Sequence, residues 1–172
     1  MENEIVVRVA KKEDVRQIAE ILVEDWKKAY RGIMDDEFLD SMSVDNRYEI
    51  EIKRYEKFIV AADTNMILGY AWLETADGDT ADCEIVALYV RYAYRKNGIG
   101  KLLLRDAVNR FREMGKKRMI IWCLKNNDES RRFYEKTGGK AFQSGFHNWG
   151  GKEYEMISYL YDIGTDERFI RK

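Results

Sequence analysis

The sequence predicts an α/β protein built on a mixed sheet of seven strands with helices on its faces. Three observations carry this. After residue 57, strand-like runs alternate with helical periodicity. Neighbouring strands at the two ends of the pattern read as hairpins, which makes the sheet mixed. Cys83–Val90 is mostly apolar, as a strand buried on both faces is. With 172 residues, 45% of them hydrophobic and 13% aromatic, the chain can build one sizeable core, so a single domain over 1–172 is expected.

The elements follow in order. Ile5 to Val9 is a short strand. Val15, Ile18, Ala19, Leu22, Val23 and Trp26 then recur at helical spacing and give an amphipathic helix with one apolar face. Tyr30 to Asp40 reads as a loop entering a short helix, capped by Asp35 or Asp36. A further helix of poor period is expected from about Asp45 to Tyr55. Lys57–Ala62 and Met66–Thr75 form a hairpin around Asp63-Thr64-Asn65, and Asp77-Gly78-Asp79 is a loop before the strand at Cys83–Val90. Gly98 and Gly100 open a helix whose apolar face is Ile99, Leu102, Leu103, Ala107, Phe111 and Met114, with Gly115 as its stop. Arg118–Leu124 is a strand. Asn126 to Glu129 cap and charge the start of a helix that runs to about Thr137 and ends at Gly138-Gly139. Lys140–Gly145 and Lys152–Tyr161 are the last two strands, joined by a turn rich in Gly, Asn and Trp.

Composition narrows the function classes. Thirty Lys+Arg against 31 Asp+Glu give no overall basic charge of the kind a whole-surface nucleic-acid binder carries. Two cysteines, Cys83 and Cys123, are too few for a disulfide scaffold, and one histidine leaves little for a zinc site, so no metal is expected. The N-terminal residues lack the pattern of a signal peptide and no run of 18 apolar residues occurs, so a cytoplasmic protein without a membrane span is expected. The charge is unevenly placed. Residues 1–90 hold 11 Lys+Arg and 21 Asp+Glu, a formal −10, and residues 91–172 hold 19 and 10, a formal +9. That asymmetry is either a chance bias of two solvated faces, or a basic half that holds an anion and an acidic half that receives a cation.

The chemistry concentrates between Glu84 and Lys101. A strand ends, Arg95 and Lys96 follow, and Gly98-Ile99-Gly100 opens a helix that begins with Lys101. Free N–H groups at a helix start, the positive end of its dipole and nearby cations make an anion site, and glycines let the backbone come close to a pyrophosphate. The dinucleotide fingerprint fails here because Leu103 stands where its third glycine is needed. The nucleoside-triphosphate loop fails because Leu102 follows Gly100-Lys101. What remains is Arg95-x-x-Gly98-x-Gly100.

This pattern resembles the GNAT superfamily of N-acetyltransferases, whose Gln/Arg-x-x-Gly-x-Gly/Ala loop binds the pyrophosphate of acetyl-CoA. Leu88-Tyr89-Val90 is similar to the strand before that loop. Asn127 to Gly139, with Tyr134-Glu135, is similar to the family's Asn-x-x-Ala-x-x-x-Tyr-Glu-x-x-Gly-Phe helix, with Ser130 in place of Ala and Gly139 in place of Phe. The resemblance follows the element order over about residues 3–161 and is most specific over 84–139. It implies a mostly antiparallel sheet, splayed between the fourth and fifth strands to admit the pantetheine arm of the cosubstrate, acetyl-CoA. It implies that Leu88, Tyr89 and Val90 line the arm, with the Leu88 N–H polarising the thioester carbonyl. Arg95, Lys96, Asn97, Gly98, Ile99, Gly100 and Lys101 would hold the pyrophosphate, and Asn127 and Ser130 would flank the arm. Asn127 also reads as a plain helix cap.

The resemblance makes Tyr134 the general acid for the leaving thiolate, against a ring that simply packs. It makes Glu84 the base for the incoming amine, against a solvated carboxylate at a sheet edge. Trp26, Tyr30, Asp35, Asp36, Glu37 and Phe38 form an aromatic and acidic cluster where the family walls its acceptor site, which suggests a cationic small-molecule amine such as a polyamine. His147, in the last turn, is an exposed loop residue or part of that wall. Cys123 reads as a core residue. The implied function is acetyl transfer to an amine by direct attack in a ternary complex. Beside it stand a non-catalytic acyl-CoA sensor of the same fold, transfer to a protein or peptide amine, and a nucleic-acid module using the basic half. The Phe146–Tyr161 aromatic stretch serves either a homodimer interface or the core.

Overall fold

A computed structural model describes residues 4–165. In chain order they form β1 (Val6–Val9), α1 (Val15–Ala29), α2 (Asp36–Ser41), α3 (Val44–Glu51), β2 (Phe58–Ala62), β3 (Ile67–Thr75), β4 (Cys83–Val90), α4 (Ile99–Glu113), β5 (Arg118–Leu124), α5 (Asp128–Lys136), β6 (Lys140–Trp149) and β7 (Lys152–Asp162). The seven strands make one sheet in the order β1-β2-β3-β4-β5-β7-β6. Every neighbouring pair is antiparallel except β4–β5. Helices cover both faces. Ile18, Ile21 and Leu22 of α1 pack on Phe58, Val60 and Tyr70, while Leu103, Ala107 and Phe111 of α4 pack on Ile59, Ala71 and Ile121. Leu104 and Val108 join this apolar face of α4, and Met114, expected there, lies 61% exposed at its end.

Two features of β4 open the sheet. Its parallel pairing with β5 covers only Cys83–Ile85 against Met119–Ile121, so beyond Ile85 the two strands diverge as expected. Across its other edge the register shifts: Ala87 faces Trp72 while Ile85 faces Leu73, leaving Val86 as an extra, bulged residue. The bulge reverses the alternation of side chains. Ile85, Leu88 and Val90 consequently share the α4 layer, while Tyr89 joins the α1 layer.

Gly69 marks how closely β3 and β4 approach. A Cβ there would lie 2.8 Å from the Tyr89 carbonyl oxygen, 3.3 Å from Val90 Cα and 3.2 Å from Leu103 Cδ1. Two of these are backbone atoms of a paired strand and cannot yield without breaking the ladder. Gly69→Ala is expected to cost about 1–3 kcal/mol, seen as a lower urea midpoint with an unchanged denaturant slope.

Two boundaries differ from the sequence expectation. The helix expected from Asp45 to Tyr55 ends at Glu51, and Tyr55–Lys57 is a separate 3₁₀ turn. The Glu51 carboxylate is buried and accepts from Arg54 at 2.8 and 2.9 Å, while the Arg54 guanidinium lies 3.9 Å over the Trp72 ring. Docking Arg54 onto β3 takes the chain off the helix axis. The sixth strand, expected to stop at Gly145, runs on to Trp149. Gly150 and Gly151, at φ 60° and 81°, make the whole reversal in two residues. His147 therefore sits in a strand opposite Tyr154 and not in a turn.

Candidate active site

The divergence of β4 and β5 is occupied on its α4–α5 side by a groove of about 1020 Å³. Its floor is Leu88 to Val90, and one end is the loop that leads into α4. Lys96 and Gly98 take left-handed backbone at φ 65° and 81°. The first backbone bond of α4 runs from the Leu102 N–H to the Gly98 carbonyl at 3.0 Å. The N–H groups of Ile99, Gly100 and Lys101 thus have no partner within the helix and end at the groove. Gly100 also lets α4 approach α5: a Cβ there would lie 3.3 Å from the Phe133 ring. Arg95, Lys96, Lys101, Arg132 and Lys136 ring the groove with positive charge. The arrangement is an anion cradle at one end of a long cleft.

Of the residues the sequence assigned to the cosubstrate, all but Asn97 line this groove. Asn127 caps α5, its side chain accepting from the Ser130 N–H at 3.2 Å while it also faces the groove. Tyr134, only 5% exposed, closes the inner end of the groove. Burial pushes its hydroxyl well above the ordinary phenol value. Its backbone carbonyl accepts from the Tyr161 hydroxyl at 3.0 Å. The Tyr161 ring fills the space beside Gly139, where a Cβ would lie 2.8 Å from it, so the small residue at 139 is matched by a large one on β7.

Among the groove residues that the sequence analysis did not single out, one carries a buried charge. Asp25, on α1, is 3% exposed and pairs with Arg95, which also donates to Glu129 at 3.0 Å. Burial, opposed by Arg95, pushes the Asp25 carboxyl up to about 6. The readable signal was an acid on the apolar face of α1, three residues after Leu22 and one before Trp26.

A second cavity, about 360 Å³, lies on the α1 face of the sheet. It shares Tyr30, Val86, Tyr89, Trp122 and Cys123 with the groove, so the two meet at the splay. Trp26, Tyr30 and His147 line it, with the Trp149 ring centroid 4.1 Å from that of His147 in a tilted contact and 5.5 Å from that of Trp26 in an edge-on one. Trp122 and Trp149 were not singled out from the sequence, because strand neighbours across β5, β6 and β7 bring them together. Glu84 also lines this cavity, half-buried and opposite Glu74 on β3. Burial first, and the Glu74 charge second, push its carboxyl above the ordinary value. Burial pushes the Cys123 thiol up to about 12, so it stays protonated at neutral pH.

Asp35 and Phe38 lie outside both cavities. Asp35 caps α2, accepting from the Phe38 N–H at 3.1 Å, and pairs with Lys152. Arg31 holds Asp36 at 3.0 Å and Asp40 at 2.8 Å. Asp35, Asp36 and Asp40 are thus committed to helix capping and to local ion pairs. Among the described residues no group of three or more His, Cys, Asp or Glu is gathered as a metal site, and no helix is long and apolar enough to cross a membrane.

The family model of the Acetyltransferase (GNAT) family matches residues 15–139. The chain belongs to the GNAT family. It is accordingly an acyltransferase of the N-acetyltransferase type. A probable N-acetyltransferase of Mycobacterium tuberculosis is 28% identical over 140 residues, covering 78% of this chain and 79% of that protein. A spermidine N(1)-acetyltransferase of Thermoplasma acidophilum is 26% identical over 147 residues, covering 80% and 89%. The crystal structure of the PaiA N-acetyltransferase of Thermoplasma acidophilum in complex with coenzyme A is similar at TM-score 0.70 and 25% identity, covering 90% of this chain and 98% of that one. The splayed β4–β5 pair and the glycine-opened α4 are thus the GNAT architecture in this chain.

Proposed function

We propose that this GNAT enzyme transfers the acetyl group of acetyl-CoA to a primary amine of a small molecule, by direct attack in a ternary complex. The observation that carries the reading is the meeting of two cavities at the splay: a cleft with an anion cradle on one side, a ring-lined cavity with a carboxylate on the other. Coenzyme A in the similar crystal structure supports the first half, and a relative named for acetylating an amine supports the second only as far as an amine acceptor. In this reading Gly98, Ile99, Gly100 and Lys101 hold the pyrophosphate through free N–H groups, aided by Arg95 and Lys96. Leu88 and Val90 pair with the pantetheine arm through their backbone, and the Leu88 N–H stabilises the oxyanion. Asn127 and Ser130 flank the arm. Glu84 takes a proton from the ammonium, the free amine attacks the carbonyl carbon, the C–S bond breaks, and Tyr134 assists the departing sulfur.

Asp25 acts here as a positioning residue, holding Arg95 against the groove. Asp25→Asn keeps the shape and removes the charge. It is expected to raise the acetyl-CoA KM about tenfold, a loss of ~1.4 kcal/mol, with kcat unchanged. An unchanged KM removes Asp25 from this role.

The function itself is tested by free-thiol release from acetyl-CoA across a panel of primary amines and peptides. Turnover of a small amine is expected. Turnover of peptide or protein amines alone would contradict the acceptor class, and none at all would favour a sensor.

A further inference from the structure

We infer that the acceptor is a monoamine, a single ammonium on an apolar body, and not a polyamine. This deepens the proposed function and rests on its reading of the smaller cavity as the acceptor site.

The cavity wall is built of rings. Trp26, Tyr30, Tyr89, Trp122, Phe146 and Trp149 contribute from α1, β4, β5 and β6. One polar edge of this wall is satisfied within it: the Trp26 Nε1–H donates to the Tyr89 hydroxyl at 2.9 Å. Ring faces make up most of the wall, and they favour an apolar body and one cation held by cation–π contact. Glu84 is the only carboxylate among the residues that line the cavity. One ammonium therefore finds one counter-ion, next to the splay where the acetyl group would arrive.

A polyamine needs more. Its second and third ammonium groups would leave water for rings alone, and a charge that loses water without a partner is costly to bury. No other acid lines the cavity, and most of those nearby are already paired. Asp35 is paired with Lys152, Asp36 and Asp40 with Arg31, and Glu74 with Lys57 at 2.7 Å. Asp25 faces the groove and is paired with Arg95. The volume, about 360 Å³, sits near the lower end of the roughly 300–1,000 Å³ of small-molecule sites, which suits one ring and a short aminoalkyl arm.

The test compares phenethylamine with spermidine on the whole protein, by two readouts. The first is thiol release with saturating acetyl-CoA. The second is tryptophan fluorescence during amine titration without acetyl-CoA, which reads the cavity through Trp26, Trp122 and Trp149. Phenethylamine is expected to have a kcat/KM about 100-fold above that of spermidine and to be the tighter ligand by fluorescence. Phe146→Ala removes a ring that is 70% exposed, so the fold is retained; the phenethylamine KM should rise severalfold with acetyl-CoA affinity unchanged. Equal or better use of spermidine overturns the inference, as does absence of phenethylamine binding in the fluorescence titration. Phenethylamine binding without thiol release upholds the cavity's ligand class and overturns the transferase reading instead.

Discussion

Tyr134→Phe is expected to lower kcat about 100-fold, the low end of what a hydrogen-bond donor to a developing negative charge contributes. Acetyl-CoA affinity should change little, because the ring stays in place. An ordinary phenol near 10 is a weaker acid than a thiol near 8.5, and burial pushes Tyr134 higher still. Complete transfer from Tyr134 to the thiolate is therefore uphill. In the proposed mechanism the hydroxyl instead donates a hydrogen bond to sulfur as the C–S bond breaks, and the amine nitrogen, made acidic by its attack, supplies the proton that ends on the thiol. The raised value has a use: the hydroxyl remains a donor throughout the neutral and mildly alkaline range. Steady-state kinetics of the variant with acetyl-CoA and an active amine checks this, and an unchanged kcat would leave Tyr134 as a packing residue.

Glu84→Gln is expected to abolish the acid-side rising limb that belongs to the carboxyl in the pH profile of kcat/KM, leaving only that of the amine, and to lower the value at neutral pH by roughly 100-fold. The direction follows from the geometry. Half-burial and the Glu74 charge across the β3–β4 pair hold the Glu84 proton above the ordinary carboxylate range. With Glu84 as the proposed base, its active form appears as pH rises through that raised value, so activity is expected to climb with pH in the native enzyme. In Glu84→Gln only the titration of the amine itself remains. A wild-type limb that survives in the variant would assign the base elsewhere.

The cosubstrate half of the site was legible in the sequence because it is local. A strand, a basic turn and a glycine-opened helix follow one another within Leu88–Lys101, and the capped helix bearing Tyr134 needs only the Asn127–Gly139 stretch. The acceptor half was only partly legible because it is assembled from elements distant in sequence. Trp26 and Trp149 meet through α1 and β6, and Tyr89 joins them because the bulge at Val86 turns it to the α1 layer. Alternation alone does not reveal a bulge. The acids of residues 35–37 looked available in the sequence, but Asp35 and Asp36 are tied up by Lys152 and Arg31, partners that only the fold brings near or orients. The turn before the last strand was misread because Gly145 looks like loop composition. In the structure it lies in β6 beside the Trp122 ring, where a Cβ would sit 3.4 Å from it. The charge asymmetry resolves unevenly: Arg95, Lys96, Lys101, Arg132 and Lys136 do gather at one groove, while Asp35 pairs with Lys152, and Asp36 and Asp40 with Arg31.

Isothermal titration calorimetry of the native chain with acetyl-CoA reads out directly whether the cleft between the diverging β4 and β5 binds the cosubstrate. Saturable binding at one site per chain, in the micromolar range at neutral pH, is expected. A titration without heat of binding, at protein concentrations well above that range and at more than one temperature, would contradict it.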